Sequence, residues 1–302
     1  MQAVPRAYRL AVFTKNRSNP AYAGARLGAD RMAQRLGCRV THYVPAQPDA
    51  VEEQRALLER AIGEGADAIV LAPTHATALN EILSGLKERC IPLLCFVSRP
   101  QGVEPTCFVG ANDRELARGI AEYLFDRLGA AANVVTIDGH QNAMTTAPRA
   151  AGFREAAAAR PGVQILGSRG GDFQFEGGRS AMIALLQAHN HIDGVLAAND
   201  VMALGALAAM RGSRRSSSIV AINATPDGID AIKRGELLAS AAFDAMTLAC
   251  LAVEAAVRVL RGEAVPSALT LPVEIVDRCN CGAWDRPYEA RSLPQWQHYV
   301  PR

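Results

Sequence analysis

The chain has 302 residues, 49% of them hydrophobic and 21% charged. That is globular composition, which excludes a mostly disordered chain, and the length suggests about two domains. Thirty-two Lys and Arg against 30 Asp and Glu leave a formal charge of +2, too small a basic excess for nucleic acid to be the main partner.

Met1–Tyr8 reads MQAVPRAY, with no basic segment followed by an apolar run, so no secretory signal stands there. Either the protein is cytoplasmic or a signal has been removed. From Arg9 on, β-branched apolar runs alternate with helical patterns: strand 9–13, helix 21–36 closed by Gly37, strand 39–43, helix 50–62, strand 68–71, helix 77–88 and strand 91–97. This alternation is the signature of βαβ units with right-handed crossovers in a parallel sheet. The rhythm restarts with strand 106–109, helix 113–128 and strand 133–137, and continues through helix 150–159, strand 163–166, helix 175–188, strand 194–197, helix 201–210 and strand 219–222. Residues 237–242 follow as a short apolar run. Aromatic residues make up only 5%, and Ala, Leu and Val dominate, which favours helices on buried parallel sheets over an all-β sandwich.

Two successive α/β stretches predict two doubly wound parallel-sheet lobes. A long apolar helix, 246–261, ends at Gly262 and leads to a strand over 269–276. Glu254 interrupts its apolar face, and no apolar run reaches the roughly 20 residues that span a bilayer. If this helix returns to the first lobe, the chain crosses three times, near Gly110, Phe243 and Leu271. The lobes are then 1–110 with 244–271, and 111–243 with 272–302. The tail from Asp277, rich in Arg, Pro and Trp, lacks a period and reads as a surface strap.

Enzyme fingerprints are absent. Gly63-Glu-Gly65-Ala-Asp-Ala68 follows a helix and precedes a strand, the reverse of a phosphate-binding loop. No P-loop and no G-x-S-x-G elbow occurs. His189 with His191, and Cys279 with Cys281, are pairs too short and too isolated to complete a metal site. Seven cysteines is an odd count for a disulfide framework, and Cys38, Cys90, Cys95, Cys107 and Cys250 stand in apolar surroundings that predict buried free thiols. No catalytic residue, metal or cofactor is expected.

In open parallel sheets ligands bind beyond the carboxyl ends of the strands. The loops there hold Lys15-Asn16-Arg17-Ser18-Asn19-Pro20-Ala21-Tyr22, Ser98-Arg99, Asp138-Gly139-His140-Gln141 with Thr145-Thr146, then Phe173, Asn199-Asp200 and Asn223. On these residues the chain resembles the type I periplasmic sugar-binding proteins of ABC transporters, the ribose-binding-protein group. Asn19-Pro20-Ala21-Tyr22 resembles that family's N-P-aromatic-aromatic turn. Residues 198–206, ANDVMALGA, are similar to its N-D-x-M-A-L-G-A signature, Ala224-Thr225-Pro226-Asp227-Gly228 to its G-T-P-D-G loop, and Gly110-Ala111-Asn112-Asp113 through Gly119 to its crossover into the second lobe.

The resemblance implies two lobes on a three-segment hinge, closing on a small sugar or polyol and presenting the closed form to a permease in the inner membrane. It also implies export, so that the missing signal is one that was removed from a periplasmic protein. Carried over, Asn19 and Arg99 would bond ligand hydroxyls from the first lobe, Asn199 and Asn223 from the second, and Tyr22 and Phe173 would press on the sugar's C–H faces. Lys15, Ser98, Thr146 and Phe243 complete the candidate set. The departures bear on the ligand. Ser98 stands for the family's frequent aspartate, Asn223 for another, and Phe243 for a hinge glutamine; the arginine common near Ala147 is lost or displaced to Arg149. Replacing carboxylates by groups that both donate and accept moves the expectation from ribose to a neutral polyol or deoxy-sugar, bound by a monomer. The competing reading is the effector-binding core of a lactose-repressor-type regulator. That would require a basic helix-turn-helix before the first strand, where only about eight residues stand.

Overall fold

The computed structural model describes residues 6–213 and 215–300; Met1–Pro5, part of the segment read above for a signal, lie outside them. The first unit opens with β1 (Arg9–Phe13), α1 (Pro20–Leu36), β2 (Arg39–Tyr43), α2 (Val51–Gly63), β3 (Ala68–Leu71), α3 (Asn80–Glu88), β4 (Leu93–Phe96) and β5 (Cys107–Ala111). The second follows with α4 (Asp113–Leu128), β6 (Ala132–Asp138), α5 (Thr146–Ala158), β7 (Val163–Gly170), α6 (Phe175–Ala188) and β8 (Gly194–Ala197). It continues through α7 (Asp200–Ser213), β9 (Ser218–Ile222), α8 (Pro226–Lys233) and β10 (Ala239–Ala241). Then α9 (Ala245–Leu260) and β11 (Ala268–Leu271) rejoin the first unit, and β12 (Ile275–Asp277) belongs to the second.

Each unit holds a six-stranded sheet, in the orders β11-β5-β4-β3-β1-β2 and β12-β10-β9-β8-β6-β7. Strands β2, β1, β3, β4 and β5 pair in parallel, as do β7, β6, β8, β9 and β10. Both sheets wind outward in two directions from β1 or β6, as doubly wound folds do. The second sheet is not wholly parallel, because β12 runs antiparallel along β10, a common edge arrangement in such sheets. The strand expected over 269–276 is also two strands in two different sheets. Pro272 stands between them and has no N–H to continue a ladder.

Burial explains why these segments fold as they do. β3 (AIVL), β4 (LLCF) and β8 (GVLA) are buried along their whole length, as strands covered on both faces must be. α9 is buried from Ala245 through Val257 and packs against α1. An added Cβ at Gly28 of α1 would lie 2.8 Å from the Met246 carbonyl, so the two helices meet backbone to backbone there. α3 starts three residues later than expected, because His75 Nδ1 accepts from the Thr77 and Ala78 amides (3.1 Å each) and closes a turn in place of the first helical turn.

Among the described residues the chain passes between the units four times: at Gly110–Ala111, Asp244–Ala245, Leu271–Pro272 and Pro287–Tyr288. The fourth passage corrects the expectation that the whole tail stays with the second unit. Residues 272–287 do, through the pairing of β12 with β10 and through Lys233 Nζ to Asp285 Oδ2 (2.6 Å). Residues 288–300 instead pack on α1 and α9. Arg31 donates to the Tyr288 and Arg291 carbonyls (2.9 and 2.7 Å), Arg35 to the Pro294 carbonyl (3.1 Å), and the Arg258 guanidinium lies 4.9 Å from the ring centre of buried Trp296. The aperiodic tail therefore has a defined partner, made of arginines that as single letters read only as surface charge.

All seven cysteines are free. Cys95, Cys107 and Cys250 are buried as expected, but Cys38 is half-buried and Cys90 is exposed at the end of α3. Burial pushes the Cys107 thiol up to about 11, which keeps it protonated and inert. No helix among the described residues is long and apolar enough to cross a membrane.

Candidate functional site

In the first unit, the loop after β1 is unusually buried for its polarity: Thr14, Lys15 and Asn16 are all covered. Asn16 anchors it, its Oδ1 accepting from the Asn19 amide (3.0 Å) and its Nδ2 donating to Asp49 (3.0 Å). Arg26, one turn into α1, donates to Thr14 Oγ1 (3.0 Å) and the Asn16 carbonyl (3.2 Å). Asn19 is the N-cap of α1, accepting from the Ala21 amide with Pro20 at the first helical position. Tyr22 is buried on the first turn of that helix.

Two candidates distant in sequence come together here. Lys15 Nζ donates to Ser98 Oγ (2.9 Å), 83 residues away. The Ser98 amide bonds back to the Phe96 carbonyl (2.7 Å) across Val97, whose φ is +68°. That is a γ-turn of the rare, strained hand, on a β-branched residue. Strain of this kind clusters where backbone geometry serves a ligand. Arg99 turns outward, its side chain 43% exposed and ion-paired with Glu104.

The second unit concentrates its candidates around an arginine that the sequence reading counted as lost or displaced. Arg149, on the first turn of α5, is buried; its Nε donates to Asp113 (2.7 Å) and its Nη1 to the Ala198 carbonyl (2.5 Å). Its guanidinium lies 5.2 Å from the Phe243 ring centre and 5.9 Å from that of Phe173. Phe173 holds a left-handed backbone (φ +59°) directly after Asp172 (φ +52°). Its ring lies over Gly139, where an added Cβ would come within 2.0 Å of it, so a side chain at that strand end would displace the ring.

Asn199, fully buried, connects these parts. Its Nδ2 donates to the Phe173 carbonyl (3.3 Å), and its Oδ1 accepts from the Met202 amide (2.9 Å), capping α7. Asn223 stands at the carboxyl end of β9 with φ +133°, its amide bonded to the Ala241 carbonyl (2.8 Å). Thr146 Oγ1 donates to the His140 carbonyl (2.7 Å) at the start of α5, at the rim of the group.

The structure thus joins Lys15 with Ser98 in one unit, and Phe173, Asn199 and Phe243 around Arg149 in the other. It leaves Asn19 in a capping role and Arg99 on the surface. Sequence reasoning missed Arg149 as a centre; the available signal was its place three residues after Thr146, one turn into a helix that opens at a strand end. It also passed over Asp200. Burial raises that carboxyl to about 6, against the opposing pull of hydrogen bonds from Ser240 and Thr225 and of the Arg149 charge. Among the described residues no three His, Cys, Asp or Glu side chains gather as metal ligands would.

Two doubly wound units, each with buried amides, hydroxyls and aromatic rings at its strand ends, define a type I bilobal binding protein. The chain matches the model of the periplasmic binding protein domain over residues 10–264, and it belongs to the periplasmic binding protein family, type I group. It is 28% identical over 266 residues to the ribose import binding protein RbsB of Bacillus subtilis, covering 88% of this chain and 85% of that one. It is 29% identical over 289 residues to a D-ribose/D-allose-binding protein of Pseudomonas aeruginosa, covering 90% and 89%. An ABC transporter periplasmic solute binding protein of Actinobacillus succinogenes, solved with bound D-allose, shares the fold with a TM-score of 0.88 at 22% identity, over 91% of this chain and 99% of that one. Family membership makes this a solute-binding protein and not an enzyme.

Proposed function

We propose that the protein is the periplasmic solute-binding component of an ABC importer. It takes one small uncharged sugar or polyol and delivers it as a monomer to the permease. The observation that carries this is the grouping of Phe173, Asn199 and Phe243 around Arg149 at the strand ends of the second unit. Aromatic faces for C–H surfaces beside amides for hydroxyls are the combination that a sugar or polyol needs. The relatives named above, with ribose and allose in their names, support the same class.

A neutral ligand is favoured because two of the cations at these strand ends already have carboxylate partners, Arg149 in Asp113 and Arg99 in Glu104. Ser98 and Asn223 offer donor and acceptor together, which suits hydroxyl patterns other than that of ribose. Of the remaining candidates, Lys15 and Asn19 would serve from the first unit with Tyr22, and Thr146 from the second.

A thermal-shift screen over pentoses, hexoses, deoxy-sugars, tetritols, pentitols, hexitols and inositols tests this. A ligand present at about 100 times its dissociation constant stabilises the folded protein by about 2.7 kcal/mol. Silence across the whole panel would overturn the proposal.

A further inference from the structure

Asp200 follows Asn199 directly and has no part in the function proposed above. Its carboxylate is fully buried at the start of α7. Oδ2 accepts from the Thr225 amide (2.6 Å) and the Thr225 hydroxyl (2.8 Å), and Oδ1 accepts from Ser240 Oγ (2.6 Å). Ser240 Oγ accepts in turn from the Ala224 amide (3.0 Å). Thr225 Oγ1 also accepts from the Gly228 amide as the N-cap of α8 (3.4 Å), and an added Cβ at Gly228 would stand 2.5 Å from Oδ2. One carboxylate therefore holds the start of α7, the loop between β9 and α8, and the middle of β10 at once. Asn199 is its chain neighbour. Asn223 and Ala224, with φ of +133° and +50°, are the strained residues that the Ser240 and Thr225 bonds hold in place.

We infer that Asp200 is the positioning residue of the second unit: its ionised carboxylate sets Asn199 and Asn223 in one geometry for ligand hydroxyls, and adding a proton to it weakens ligand binding. This rests on the sugar or polyol function proposed above.

The proton's effect follows from counting donors. As a carboxylate, Asp200 accepts all three bonds, and the Ser240 hydroxyl can donate to it while accepting from Ala224. A proton on Oδ1 turns the carboxyl into a donor toward Ser240 Oγ, whose two lone pairs then take the carboxyl and the Ala224 amide while its own hydrogen is left buried without an acceptor. To satisfy that hydrogen the Ser240 hydroxyl must turn, which disturbs the Ala224 amide bond next to Asn223. The charged group that bears on Asp200 from a neighbouring element is Arg149 of α5, which is itself paired with Asp113 of α4. α8 presents Thr225 and Gly228, with Asp227 exposed; β10 presents Ser240; and on α6 Glu176 and Arg179 pair with each other at the surface.

The test is calorimetric titration of the full chain with D-ribose, D-allose and myo-inositol at pH 7.5 and pH 5, in wild type, Asp200→Asn and Ser240→Ala. Asparagine reproduces the protonated acid, with an acceptor toward Thr225 and a donor toward Ser240. Wild type should bind at least about fivefold more weakly at pH 5, the worth of roughly one hydrogen bond. Asp200→Asn should bind as weakly at both pH values, and Ser240→Ala should weaken binding at pH 7.5 by a similar factor even if Asp200→Asn does not fold. A flat wild-type profile overturns the inference. So does a slope that survives in Asp200→Asn, since it would belong to another group. If wild type binds none of the three sugars, the choice of ligand class is at fault, and the ligand-free protein still decides the role of Asp200. The amide proton of Thr225 should shift with a transition near pH 6 and lose that transition in Asp200→Asn; its absence in wild type overturns the inference.

Discussion

Asn199 serves as scaffold and candidate contact together. Its amide caps α7 and holds the Phe173 carbonyl, which leaves one N–H and one lone pair for a ligand. Asn199→Ala should weaken ligand binding by more than about tenfold, read by titration, because a hydroxyl partner is lost and Phe173 is released. The missing cap should lower stability by about 1 kcal/mol, read by denaturant unfolding. Asp200 adds a pH effect whose sign is opposite to that of an ordinary carboxylate. Its folded value, about 6, lies above the ordinary 3.8, so the folded chain holds the proton more tightly than the unfolded chain. Its contribution to stability is complete below about pH 4 and is lost as pH rises through 6. Glu155, Glu236 and Asp277, held low by Arg114, Arg234 and Tyr123 respectively, act in the opposite direction. The difference in stability between wild type and Asp200→Asn should therefore fall between pH 4 and 6; a rise would reverse the assignment.

At the level of elements, the candidate residues owe their places to how helices seat on the second sheet. α4 and α5 approach so closely that an added Cβ at Gly152 would lie 2.2 Å from the Arg114 carbonyl and 2.8 Å from the Arg118 amide. Backbone cannot move aside as a side chain end can, so Gly152→Ala should destabilise by about 1–3 kcal/mol in thermal or denaturant unfolding. The better helix propensity of alanine, worth up to about 1 kcal/mol, offsets only part of that. Arg149 is on the same helix, so ligand affinity should fall with it. The sequence reading found most of these elements because periodicity is local information. It placed the start of α3 too early because the His75 side chain bonds competed with the first helical turn. It joined β11 to β12 because apolarity runs across Pro272 although hydrogen bonding does not.

In the whole molecule, neither unit is a continuous stretch of chain. The first needs α9 and β11, which arrive only after residues 111–244 of the second unit, and α9 supplies a fully buried face against α1. A fragment ending at Gly110 should thus remain unfolded, without the amide dispersion of a native domain in NMR, while the full chain folds. Removing residues 288–300 should be milder. It uncovers the surfaces of α1 and α9 under Tyr288 and Trp296 and should lower the melting temperature without abolishing the fold.

By itself the sequence determined the α/β alternation, the two units and the family, because each is written in local periodicity or in short motifs such as Asn199-Asp200 and Thr225-Pro226-Asp227-Gly228. Tertiary structure alone decided the pairing of Lys15 with Ser98, the burial of Arg149 between Phe173 and Phe243, the three-way grip of Asp200, and the return of residues 288–300 to the first unit. Those contacts join residues far apart in the chain. Their energies depend on burial and on competing partners, which no single stretch of sequence carries.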